Sequence, residues 1–292
     1  MPILPFGKGD KTDKKKAVDV RSHNTKQENQ LLDLATSRYT NARAAKHDFD
    51  NRELHSKWRE CDRLYRGNQW ATSQPDSKSM PVLNYTFALV ESVVSRLTDN
   101  NPVVYVRPKR DSRNERLAKQ LGSLQGYLWD YNGMPRQIPD AARMCMKYGT
   151  VLFKTVWDPD VYAGMGEVRY SVVHPMNFFN DPRAYQIDDM DFCFGVMPKT
   201  LEYFKRGWPD KAWLVEADHD WADTEQLDGA DGSNEEQVAT LYEYWFRDSE
   251  GDVSVMYYTK NVVLQIIGGE FDNRKPVYKH NRFPFAKFVD YP

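Results

Sequence analysis

Cysteine is scarce in this chain: Cys61, Cys145 and Cys193 are the only three in 292 residues, far apart and without a CxxC pair. That spacing excludes a disulfide framework and the common zinc arrangements, and it predicts a protein folded in a reducing cytoplasm. The 6 histidines are scattered, none at metal-ligand spacing from another, so no metal is expected. No apolar run approaches the ~18 residues of a membrane span, and the first thirty residues hold no signal-peptide core. An excess of one charge is missing too. With 40 Lys and Arg against 42 Asp and Glu, the formal net charge is −2. A protein that coats nucleic acid would be strongly basic, whereas one that encircles DNA without gripping it need not be. GxxxxGK[ST], HExxH and GxSxG are all absent, so neither an enzyme nor a cofactor is expected.

The remaining composition is that of a globular protein, 40% hydrophobic and 28% charged, long enough for one large domain or two small ones. Aromatics reach 13%, with 8 Trp and 17 Tyr. Large amphipathic rings are favoured where surfaces meet other surfaces, which leans towards assembly.

Residues 1–26 are polar and basic and are expected to form a flexible arm. Within it, Lys14, Lys15, Lys16 and Arg21 are the candidates for contact with DNA or with a neighbouring subunit. From Gln27 to Tyr65 the pattern reads as one helix, with Leu54, Trp58, Cys61 and Tyr65 on a single face. A second helix is predicted from Asn84, its N-cap, to Thr98, with Thr86, Val90, Val93 and Leu97 in a stripe. The run Val103 to Arg107 reads as a strand. A third helix follows, capped by Asp111 or Ser112, whose Leu117, Leu121, Leu124 and Leu128 are expected in the core or against a neighbouring subunit. Pro135 opens a fourth, ended by Gly149.

The character then changes. Strands are predicted at Val151–Trp157, Val168–Val173, Val238–Phe246, Val253–Tyr258 and Val262–Ile267, with a short helix near Thr200–Arg206 and an acidic loop from Ala222 to Gln237. Helices first and strands after predict an α+β fold, long N-terminal helices packed on a mostly antiparallel β region. The division is 27–150 helical and 151–292 β-rich.

Three groups could carry chemistry. Asp158, Glu167 and Arg169 are spaced loosely like the Asp…Glu-x-Lys set of Mg²⁺-dependent nucleases, but Arg cannot serve as a general base. A plain β-hairpin with charged ends is the better reading of them. Asp188, Asp189 and Asp191 read as a solvated loop. Tyr242 and Tyr244 would lie on one face of a strand and Trp245 on the other, a pattern of packing more than of base stacking.

The order of four segments is familiar: WRECDRLYRGNQW, MPVLNYTFALVESVVSRLTDNNPVVYVRP, ARMCMKYGTVLFKTVWDP and GEVRYSVVHPMNFFNDPRA. In this order and spacing the chain resembles the portal proteins of tailed phages, nearest those of short-tailed phages. The resemblance spans Trp58 to Ala184 and, more loosely, the strands up to Pro284. It implies a subunit of a ring of about twelve copies at one capsid vertex. Such a ring touches the major capsid protein, docks the terminase large subunit, receives head–tail adaptor or tail proteins, and passes double-stranded DNA, with no membrane involved. It also implies that this chain forms the wing of the portal and stops before the stem and clip. The apolar ending FPFAKFVDYP fits that expectation. The other readings are a different virion protein, such as an adaptor or ejection protein, and the Mg²⁺-dependent nuclease.

Overall fold

The computed structural model describes residues 21, 24–48, 53–70, 81–100, 104–108, 113–218, 237–271 and 276–289. Among them the chain runs α1 (Lys26–Asp48), α2 (Leu54–Tyr65), α3 (Tyr85–Thr98), α4 (Arg113–Tyr131), α5 (Met134–Tyr148), β1 (Thr150–Asp158), β2 (Glu167–Val173), β3 (Phe178–Asn180) and β4 (Phe192–Thr200). It continues with α6 (Leu201–Gly207), β5 (Val238–Arg247), β6 (Val253–Tyr258), β7 (Val263–Ile267) and β8 (Phe285–Val289). The fold is α+β. Two antiparallel sheets, ordered β2-β1-β8 and β3-β4-β5-β6-β7, follow the long helices.

The larger sheet is buried on both faces because its strands alternate two kinds of packing. Tyr242, Tyr244 and Phe246 of β5 point to one side, where Leu32, Ala35, Tyr39 and Ala42 of α1 cover them. Trp245, Cys193 of β4 and Val255 of β6 point to the other, against Leu152 of β1 and Phe285 of β8. One helix and one small sheet thus enclose the five strands. The aromatics of β5 are core residues, as their alternation predicts.

Helix α1 starts at a capping box in which Glu28 N–H donates to Thr25 Oγ1 (3.2 Å) and Thr25 N–H to Glu28 Oε2 (2.6 Å). The single helix expected from Gln27 to Tyr65 is two. Glu53 takes a left-handed φ of 37° before α2 begins. The inward seam of α1 runs 32, 35, 39, 42, 46, whereas α2 buries His55 and Trp58. Those patterns are out of phase, so one continuous helix could not bury both.

Two further expectations are corrected. Residues 104–108 pair with no strand, and Tyr105 is 85% exposed; β propensity counts only where a neighbouring strand can receive the run. The inner face of α3 centres on Val94 rather than on the stripe ending at Leu97, which is exposed. On α4 only Leu128 of the four leucines is buried. Strands β3 and β4 were not expected. FCFGVMPKT is buried along most of its length and has no polar alternation to announce it. Two of the predicted helix ends hold. Asn84 Oδ1 accepts from Phe87 N–H (3.0 Å), and Gly149 ends α5 at φ 73°. The Asp111 or Ser112 cap and, but for Gln237, the acidic loop from Ala222 lie outside the described residues.

Candidate assembly surface

Of the basic candidates, Lys14, Lys15 and Lys16 lie outside the described residues. Arg21 pairs with Asp33 of α1 at 3.0 Å, and its carbonyl accepts from Asn29 Nδ2 (3.1 Å). Asn24 then bonds the approach to β7. Its Nδ2 donates to Asn261 O (3.1 Å), and Val263 N–H donates to its Oδ1 (3.3 Å). The chain leading into α1 is therefore stitched to one edge of the larger sheet.

Where helices meet sheets, a buried polar cluster fixes their angle. Lys46 of α1 donates to the carbonyls of Pro175 (2.8 Å) and Phe178, and lies over the rings of Trp58 and Phe179. Full burial pushes this ammonium down to about 7. Trp58 Nε1 donates to Tyr148 O (3.1 Å), and Tyr148 OH to Asp62 Oδ1 (2.8 Å), where Lys147 also binds. Burial raises the Asp62 carboxyl, but the hydrogen bonds from Lys147 and Tyr148 outweigh it and hold the group below its ordinary value. His174 Nδ1 accepts from Met176 N–H (3.2 Å), and burial pushes the imidazole down to about 4.

Helix α3 is held to its neighbours mostly by polar contacts. Arg143 of α5 grips Glu91 through Nε (2.7 Å) and Nη2 (3.0 Å), and Tyr65 OH donates to the same carboxylate. The Arg143 hydrogen bond, then that of Tyr65, pulls Glu91 down to about 2. Val94 is the only residue of α3 that is fully buried.

The nuclease-like set comes together as a hairpin rather than as a metal site. Asp158 and Glu167 stand opposite each other in the β1–β2 register. Arg169 Nε donates to Asp158 Oδ2 (3.3 Å), and its guanidinium lies over the Tyr131 ring. Glu167 accepts from Tyr127 OH (3.3 Å). Among the described residues no three His, Cys, Asp or Glu side chains are grouped to hold a metal. Asp188, Asp189 and Asp191 are exposed around a short turn. Trp208 donates to Gln265 Oε1, and the exposed Trp213 to Asp210 O.

The outer helices carry what the sequence could not orient. Leu117, Leu121 and Leu124 of α4 are 52%, 44% and 49% exposed, and Tyr85 and Leu89 of α3 are 72% and 67% exposed. An apolar cleft of about 370 Å³ also opens between α3, α5, β1 and β8, lined by Leu97, Ile138, Ala142, Met146, Phe153 and Phe288. Apolar surface of this extent on rigid helices marks a place where another surface sits.

Apolar helix faces turned outward are a feature of subunits that assemble. A family model described as phage P22-like portal protein matches residues 37–282. No curated protein matches the chain. The chain belongs to the P22-like phage portal protein family. It is a phage portal subunit, a structural head–tail connector of the virion, and the family places it in a ring at a capsid vertex, attached to capsid and tail proteins. Among the described residues no helix is long and apolar enough to cross a membrane.

Proposed function

We propose that about twelve copies of this chain close into the portal ring through which double-stranded DNA is packaged and later ejected. The match over residues 37–282 carries the reading. In this role the ring contacts the major capsid protein, docks the terminase large subunit and receives head–tail adaptor or tail proteins, and it is assembled in the host cytoplasm. The subunit itself catalyses nothing and needs no cofactor. Its task is mechanical. A net charge of −2 is consistent with a ring that passes DNA without gripping it, since a strong basic excess would brake a sliding phosphate backbone.

Within the subunit, residues 27–150 form the helical part of the wing and 151–292 its β-rich part. The basic arm 1–26, through Lys14, Lys15, Lys16 and Arg21, contacts DNA or a neighbouring subunit. Filter binding of DNA across a salt series, with and without the arm, separates the two. A salt slope lost with the arm assigns it to DNA, and an unchanged slope assigns it to the neighbour. Ring closure by the purified protein tests the reading as a whole.

A further inference from the structure

Helix α4 carries two seams of the same spacing, one residue apart. Ala118, Gly122, Gln125 and Trp129 recur at i, i+4, i+7 and i+11; Ala118 is buried and the others are half-buried, with open space beside Gly122. Leu117, Leu121 and Leu124 repeat at i, i+4 and i+7, about a quarter-turn away, and no described residue covers them; only the fourth member, Leu128, goes inside. A helix with two such seams is shaped to pack on two neighbours, and the described residues cover only the inner one.

We propose that the outward leucine stripe of α4 is a surface on which a second copy of this chain docks. The proposal rests on the portal reading and names the contact that reading requires. Cyclic rings are closed by head-to-tail contacts, so every copy must bury a patch of its own against its neighbour. The stripe has the chemistry of an interface centre. On the helical wheel Arg113, Asn114 and Gln120 flank it, while Glu115 and Lys119 lie on the far side. Between Leu117 and Leu124, no charge on that face has to be stripped of water for a neighbour to sit there. At roughly 100 Å² of exposed surface apiece, Leu117, Leu121 and Leu124 offer about 300 Å², the apolar centre of the ~800 Å² each partner buries in a standard interface. Leucines at 4-3 spacing also match the ridges that helix-on-helix packing interdigitates.

The test compares full-length wild-type protein with Leu121→Glu and with Leu117→Glu/Leu124→Glu, by native mass spectrometry and negative-stain electron microscopy at matched concentration. The wild type closes into rings. The variants stay monomeric, with unchanged circular dichroism and melting, since the positions are exposed in the single chain. A second measurement uses Leu121→Cys. Its thiol reacts with a maleimide an order of magnitude more slowly in rings than in monomers. Glutamate variants that close as readily as the wild type, or an introduced thiol equally reactive in both states, overturn the assignment. So do variants that form rings but lose attachment to capsid or tail, which give the surface to another virion protein. A wild-type protein that forms no ring refutes the portal reading itself, and this surface falls with it.

Discussion

Lys154 and Glu243 meet between the two sheets, Nζ to Oε1 at 2.6 Å, and Trp245 Nε1 donates to the same carboxylate oxygen (2.8 Å). Gly195 stands directly across from Glu243 in the β4–β5 register, where a Cβ would lie 3.4 Å from Oε2. Removing one partner strands the other without its charge compensation. Lys154→Met is therefore expected to cost about 3–5 kcal/mol, and Lys154→Met/Glu243→Leu much less than that. Urea denaturation decides it: equal losses in the single and double variants contradict the pairing. His174 carries a second prediction. Burial lowers its imidazole from 6.5 to about 4, so between those values the unfolded chain binds a proton that the fold does not. Its contribution is fully present above pH 6.5 and is lost as pH falls towards 4, by at most about 3 kcal/mol. His174→Asn keeps an acceptor for Met176 N–H and removes the titration. The urea midpoint of this variant should fall less between pH 6.5 and 4.5 than that of the wild type. An identical fall in both places the acid sensitivity elsewhere.

Among the elements, those with local signals could be read in advance and those decided by neighbours could not. The Asn84 cap, the Gly149 stop and the β1–β2 hairpin follow from residues within a few positions of each other. Asn84 does more than cap, since its Nδ2 also donates to Tyr65 O (2.8 Å) and ties α3 to the end of α2. Asn84→Ala should cost about 1–2 kcal/mol in urea denaturation, and a cost near zero would show that α3 is held without its cap. By contrast, the run from Val103 to Arg107 had the residues of a strand, but no strand lies beside its described part. Strand β4 had a partner on each side but no alternation. The break before α2 depends on which faces of α1 and α2 meet the sheet, a property of packing rather than of either segment.

For the whole molecule, the order of helices before strands sufficed for the α+β class, and the order of motifs for the portal family. The assembly surface was half legible. Leu117, Leu121 and Leu124 announced an apolar stripe, but periodicity cannot say whether the chain itself or another copy covers it. Only the fold shows them outside while Ala118 goes in. The rings implied by the family then give the stripe its partner. Negative-stain electron microscopy of the purified full-length protein, with native mass spectrometry alongside, tests the central claim most directly. Closed rings of about a dozen subunits around an open centre are the predicted result. A monomer or dimer that persists across salt and protein concentration would contradict it.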